Sequence, residues 1–156
     1  MNIRNATLND LEGLHRLLDQ VGEVHHQGRP DLFKPGAHKY HNDELINLFK
    51  DSNYTIFCAF DENNWMMGYA FCITQQHLNH PVLTDIKTLY IDDLCVDESC
   101  RGQHVGKSLY EYVLNYAKDN QYYNVTLNVW GFNESAMKFY ESCGLSVQKI
   151  GMEKVL

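Results

Sequence analysis

The chain has 156 residues, with 13 basic and 20 acidic side chains and a formal charge of −7. That length predicts one domain over residues 1–156, and 44% apolar with 21% charged residues excludes a disordered chain. The acidic balance excludes a general nucleic-acid binder, whose affinity rests on many Lys/Arg–phosphate contacts.

No run approaches the ~18 apolar residues of a membrane span. The start, Met1-Asn2-Ile3-Arg4-Asn5, lacks the pattern of a secretion signal. Five cysteines (Cys58, Cys72, Cys95, Cys100, Cys143) are widely spaced and form no CxxC pair, so neither a zinc site nor a disulfide framework is expected. Cys58, Cys72 and Cys95 read as small core residues. A reducing cytoplasm and no membrane contact are the expected setting.

In chain order, residues 2–6 predict a short strand. Asn9 or Asp10 then caps a helix whose Leu11, Leu14, Leu17, Leu18 and Val21 make one apolar stripe. Residues 25–40 hold the early Pro and Gly punctuation and predict an irregular loop. Asn42 predicts the cap of a second helix carrying Leu45, Ile46, Leu48 and Phe49. Tyr54–Phe60 and Trp65–Thr74, rich in aromatic and β-branched residues, flank the polar turn Asp61-Glu62-Asn63-Asn64 and predict an antiparallel hairpin. Lys87–Val96 predicts a further strand. Val105, Leu109, Tyr112, Val113, Tyr116 and Ala117 recur at helical spacing. Tyr123–Trp130 reads as a strand, Glu134–Glu141 as a short helix and Ser146–Val155 as a last strand. Strand–helix–strand units near the end imply parallel pairing there, and the hairpin implies antiparallel pairing in the middle. The expected α/β architecture is a mixed sheet with helices on both faces.

The most informative stretch is Leu94-Cys95-Val96-Asp97-Glu98-Ser99-Cys100-Arg101-Gly102-Gln103-His104-Val105-Gly106-Lys107-Ser108-Leu109. A strand runs into a polar loop, and glycines open an amphipathic helix. Unpaired backbone N–H groups and a positive helix end then converge on one point, which suits phosphate. Gly102 and Gly106 permit close backbone approach, and Arg101 or Lys107 can add a charge-assisted contact. A surface turn capping an ordinary helix is the plain alternative. A nucleotide P-loop, GxxxxGK[ST], does not fit: only three residues separate Gly102 from Gly106, and Arg101 stands where the first glycine belongs.

Arg101-Gly102-Gln103-His104-Val105-Gly106 resembles motif A of the GNAT N-acetyltransferases, Arg/Gln-x-x-Gly-x-Gly/Ala. Leu94-x-Val96 and Asp97-Glu98 match that family's lead-in. His104 replaces the pattern's first glycine; its amide still donates, but its side chain needs room if φ is positive. Downstream, Asn133-x-x-Ala136-x-x-Phe139-Tyr140-x-x-x-Gly144-Leu145 resembles motif B, with Leu145 for the final Phe. Ala136 and Phe139, at i and i+3, share one helix side, where a small residue admits a thin pantetheine arm. Asn133 either caps this helix or bonds that arm, and Gly144 fits the helix C-terminus.

The resemblance implies a mixed, mostly antiparallel GNAT sheet and acetyl-CoA as co-substrate, with no metal. It implies that Leu94, Cys95, Val96, Arg101, Gly102, Gln103, His104, Val105, Gly106, Lys107, Ser108, Asn133, Ala136, Phe139 and Tyr140 hold acetyl-CoA. The backbone N–H near Cys95 becomes the oxyanion donor. Tyr140 becomes the general acid that protonates the leaving thiolate.

An amine of pKa ~10.4 is protonated at neutral pH, and removing that proton costs roughly 4–5 kcal/mol. A carboxylate is the usual aid, and the strand offers Asp92 and Asp93. Alternation predicts that these two point to opposite faces. A similar acidic segment in polyamine acetyltransferases implies Asp92 as the base and Asp93 in a structural role; the plain alternative is that both satisfy loop backbone. Surplus acid at Glu23, Asp31, Asp85, Asp92 and Asp93 leans toward a cationic acceptor, a small-molecule or peptide amine. Arg29-Pro30-Asp31-Leu32-Phe33 either clamps that acceptor or folds its own loop. His25-His26 and His38-x-x-His41 lack a carboxylate or cysteine to complete a metal set. A homodimer pairing through the last strand is a further expectation. The alternative function on the same fold is a non-catalytic acyl-CoA-binding or sensing module, for which His104 is the support.

Overall fold

The computed structural model describes residues 1–37 and 39–156. Its strands are β1 (Asn2–Asn5), β2 (Tyr54–Phe60), β3 (Met66–Gln76), β4 (Lys87–Val96) and β5 (Asn124–Leu127). Its helices are α1 (Leu11–Gly28), α2 (Asn42–Leu48), α3 (Val105–Asp119) and α4 (Glu134–Ser142). The five strands lie in sequence order, antiparallel from β1 to β4 and parallel between β4 and β5. The parallel pair encloses α3, as a strand–helix–strand unit requires.

Alternation along the central strands sorts the core into two layers. Ile56, Cys58, Phe60, Tyr69 and Phe71 face α1 and α2, where Leu14, Leu17, Leu18 and Leu45 are fully buried. Phe57, Ala59, Ala70, Cys72, Leu89 and Ile91 face Val105, Leu109, Val113 and Ala117 of α3. Helices therefore cover both faces of a mixed, mostly antiparallel sheet. Each fully buried leucine contributes ~1.5–3 kcal/mol by leaving water. Cys58, Cys72 and Cys95 are free thiols within these layers, Cys100 is buried and Cys143 is partly exposed. No helix among the described residues is long and apolar enough to cross a membrane.

Several expectations change. Residues 25–40 are not all loop, because α1 continues through His25 and His26 to Gly28. Gly28 is a packing glycine there: a Cβ on it would lie 2.1 Å from the Phe132 ring. Asn42 is the first residue of α2, and His41 is the cap, its N–H donating to Glu44 Oε2 at 2.8 Å. Asp10 does precede α1, but its carboxylate binds Arg4 and Thr7 rather than the helix amides. The last strand, Ser146–Val155, does not form. Its apolar residues fall at steps of three, two and three (Val147, Ile150, Met152, Val155), so no single face of a strand can be buried. All four are exposed.

The largest departure lies in β4. Phe71 pairs with Asp93 and Cys72 with Ile91, leaving Asp92 as an extra residue without a partner. This β-bulge resets the alternation. Ile91 and Leu94, three apart, both belong to the α3 layer, and Cys95 belongs to the α1 layer. Asp92 and Asp93 consequently both face α1, correcting the expectation of opposite faces. Their partners agree: Tyr40, packed against the α1 layer, bonds Asp92, and Tyr69 of that layer bonds Asp93.

The loop from β4 to α3 is pinned by buried Asp97. Its Oδ1 accepts from the Ser99 amide at 3.0 Å and hydroxyl at 2.7 Å, while its Oδ2 pairs with Arg16 of α1. Burial pushes the Asp97 carboxyl up, but Ser99 and Arg16 outweigh it and hold it below the usual range. The loop delivers His104 to the helix start in the left-handed region, φ 61 and ψ 11. Histidine tolerates that region at a cost of about 1–2 kcal/mol. Replacing His104 with glycine removes this strain and adds some unfolded-state entropy. His104→Gly is expected to stabilise the fold by a net ~0.5–1 kcal/mol in urea unfolding; a loss of stability would contradict the strained conformation.

Candidate active site

β4 and β5 pair only from Thr88–Asn124 to Ile91–Leu127. Beyond that point, Asp92 to Val96 have no strand beside them on the β5 side. Their polar groups on that edge have no β5 partner. At the far end of this free edge the first turn of α3 meets α4. A Cβ on Gly106 would lie 3.3 Å from Phe139 Cζ and 3.4 Å from Val96 Cγ2, so both crowd this glycine.

The α3 start is an uncapped cluster of donors. The Ser108 N–H is the first to close on a helix carbonyl, that of His104, at 3.0 Å. The amides of Val105, Gly106 and Lys107 therefore have no carbonyl in the helix, and no side chain caps them. Gly102 adopts φ +75, and a Cβ there would meet nothing within 4 Å. Residues Arg101, Gly102, Gln103 and His104 are exposed, as is Lys107. The Arg101 Nε donates weakly to the Val96 carbonyl at 3.5 Å, and Gln103 Nε2 donates to the Ser99 carbonyl at 3.3 Å. Open space, uncapped amides and two cations fit a diphosphate.

α4 forms the adjacent wall. Asn133 is its cap, Oδ1 accepting from the Ala136 N–H at 3.1 Å. Gly144, at φ +89, closes its other end. There Gly144 N–H donates to Glu141 O and Leu145 N–H to Tyr140 O, the two bonds of a Schellman motif. These caps fix Phe139 and Tyr140. The Tyr140 ring lies 5.0 Å from Phe139 and 6.4 Å from Tyr110. Burial first, then the charge of Asp93, holds the Tyr140 proton well above the ordinary phenol value.

The two bulge carboxylates differ. The Tyr40 hydroxyl donates to Asp92 Oδ2 at 2.8 Å, and Lys39 Nζ lies 2.8 Å from the same oxygen. The Asp93 residue retains some exposed surface, but its carboxyl is enclosed by protein and accepts from the Tyr69 hydroxyl at 2.8 Å. Burial raises the Asp93 carboxyl above its ordinary value, against the opposing pull of Lys39, Tyr69 and His25. His25 is lowered by its own burial. Its ring stacks on Phe33 at 5.0 Å, and Phe33 meets Trp130 edge-on at 5.2 Å. These contacts join α1 and the loop after it to the segment that follows β5.

Of the five acids, only Asp92 and Asp93 come together. Glu23 accepts from Gln27, Asp31 from Arg29 in a bidentate pair, and Asp85 from Asn79. Arg29 also reaches Glu153, so it ties its own loop to the C-terminal segment. His26 Nδ1 pairs with the Phe33 carbonyl. His38 of the second histidine pair lies outside the described residues. Among the described residues no group of three His, Cys, Asp or Glu can hold a metal ion. Sequence reasoning missed Lys39, Tyr40 and Tyr69. Tyr69 carried a signal: a tyrosine inside a core strand needs a partner for its hydroxyl.

The model of the "Acetyltransferase (GNAT) family" matches residues 19–145. A structure of a mutant BH1408 protein from Bacillus halodurans is 34% identical, covers 100% of this chain and 99% of its own, and superposes with a TM-score of 0.95. Glucosamine 6-phosphate N-acetyltransferase of Arabidopsis thaliana is 35% identical over 68 residues, a stretch covering 44% of each chain. The crystal structure of that enzyme shares the fold at 22% identity and a TM-score of 0.71, with 99% of this chain and 97% of its own covered. With the donor cluster, the split strands and the two motifs together, the chain belongs to the GNAT acetyltransferase family.

Proposed function

We propose that the protein moves the acetyl group of acetyl-CoA directly to a primary amine in a ternary complex, with no covalent enzyme intermediate. The observation that carries this reading is the β4 bulge. It sets two carboxylates on one face, at the start of the free strand edge that leads to the uncapped α3 amides.

Acetyl-CoA, when bound, supplies a thioester carbonyl and a thiol leaving group. Leu94, Cys95 and Val96 would line it through their backbone, with the N–H near Cys95 as oxyanion donor. Arg101 to Ser108 would hold its diphosphate, and Ala136 and Phe139 its arm. Asp92 receives the amine proton, because the Asp93 carboxyl is held by the Tyr69 hydroxyl and raised by burial. Tyr140, kept protonated by burial and by Asp93, gives its proton to the departing sulfur. A thiol relay is disfavoured: burial pushes Cys95 up to about 12, and its Sγ donates to the Leu17 carbonyl. Few thiolates exist at neutral pH with such a value. The acceptor is a small-molecule or peptide amine. A non-catalytic acyl-CoA-binding module is the competing reading, and His104 in its strained conformation is what favours it.

A thiol-release assay with acetyl-CoA and a panel of amines decides between them. Turnover is expected; tight acetyl-CoA binding without turnover across the panel would favour the module. Tyr140→Phe is expected to slow turnover ~10–100-fold, and unchanged turnover removes Tyr140 from the mechanism. Asp92→Asn is expected to move the pH–rate profile to higher pH, and an unmoved profile clears Asp92. Asp93 gives a stability test. Its folded value lies above its unfolded value, so its contribution is most favourable in acid and is lost as pH rises through the folded value. Asp93→Asn is expected to raise Tm at neutral pH, with the gain vanishing below about pH 4. A gain that persists in acid would rule out the buried charge as its cause.

A further inference from the structure

The seat beside the Asp92 carboxylate is already filled by an amine of this chain. Lys39 Nζ lies 2.8 Å from Asp92 Oδ2 and donates to the Asp92 carbonyl at 3.1 Å. The nitrogen thus grips the bulged residue by both its side chain and its main chain. Tyr40, which shares the same carboxylate oxygen, has its ring centroid 5.8 Å away. The Lys39 charge also acts on Asp93 and His25. An exposed lysine pair is worth little, but this carboxylate is only 16% exposed while the Lys39 side chain is 38% exposed. Other lysines with described contacts lie away from the bulge. Lys87 donates to the Asn120 carbonyl over the Tyr122 ring, Lys107 pairs with Glu111 and Lys138 with Glu134.

A primary amine on a flexible aliphatic arm, held on the proposed base, is placed as an acceptor would be. We propose that Lys39 is a self-acetylation site, its ε-amine accepting the acetyl group in the protein's own centre. This rests on the acetyl-transfer reading above. Asp92 takes a proton from the Lys39 ammonium, and the freed nitrogen lone pair forms a bond to the thioester carbon. The nitrogen sheds its second proton to solvent as the carbon–sulfur bond breaks, and the thiolate takes a proton from Tyr140, which recovers one from solvent; Asp92 then releases its own proton. The products are Nε-acetyl-Lys39, coenzyme A thiol and one proton, with no oxidant or reductant involved. The acetylated side chain carries no charge to pair with Asp92, so the reaction also clears the seat for an external amine.

The test incubates the full chain with acetyl-CoA and no added amine, and follows peptide masses over time. One acetyl group per chain is expected on Lys39, forming at least ~10-fold faster than on any other lysine because the amine is held in place. The rate should not change on diluting the protein. Tyr140→Phe should slow it ~10–100-fold, and Lys39→Arg should abolish the modification without lowering Tm. Acetylation spread over exposed lysines at similar rates would overturn the proposal, as would a rate that rises with protein concentration. A second arm supplies free amines to the same preparation. Thiol release there with Lys39 unmodified overturns self-acetylation and leaves the transfer reading standing; silence in both arms overturns the two together.

Discussion

Opposite Phe71 and Cys72, β4 carries one residue more than β3 can pair, and that residue is Asp92. Three properties follow. Asp92 and Asp93 share a face that regular alternation forbids. The pairing of β4 with β5 ends at Ile91, the residue before the bulge, so the strand edge from Asp92 onward is free. The phase change also returns Leu94 to the α3 layer and Cys95 to the α1 layer, which keeps the apolar core closed around a polar insertion. Deleting the extra residue would restore the ladder with both layers unchanged but leave a single carboxylate on the α1 face, so the bulge is what makes the pair of acids.

The supporting structure concentrates its unfavourable features near this point. Asp93 is enclosed and raised, Tyr69 commits its hydroxyl to it, and His104 holds a backbone conformation that favours glycine. Such local conflict is expected where geometry serves a ligand rather than stability. Compensation comes from elsewhere in the chain. Arg16 of α1 reaches Asp97 and also stacks its guanidinium over Trp65 at 4.1 Å, so the helix on one face steadies the loop that opens the helix on the other. Asp10 does the same for the entry of α1 through Arg4 and Thr7.

Much of this was legible in the residues. The bounds of Tyr54–Phe60 and Lys87–Val96 match the sequence reading, because aromatic and β-branched runs end at clear polar turns. The start of α3 at Val105 was equally plain from its glycines and stripe. Three things were not readable. A bulge leaves no mark in the composition of Ile91-Asp92-Asp93-Leu94, since only pairing with β3 reveals the extra residue. Gly28 looked like a turn, whereas its role is close contact with Phe132, a partner more than one hundred positions away. The segment after Leu145 contained enough valine, isoleucine and methionine to suggest a strand, yet their irregular steps give no face to bury. Motif spacing singled out Tyr140 and the amides at the start of α3 as candidates, but contacts made by Lys39 and Tyr40 depend on how a long loop folds back, which local pattern does not encode.

The distribution of sulfur has a practical consequence. Cys58, Cys72 and Cys95 sit fully or almost fully inside the two layers, and burial pushes Cys72 and Cys95 up to about 12. Alkylating probes can reach them only when the sheet parts from its helices, whereas Cys143 stands partly open at the end of α4. One fast and several slow labelling phases should therefore coexist in a single native sample. The slow ones form a built-in gauge of how often each layer opens.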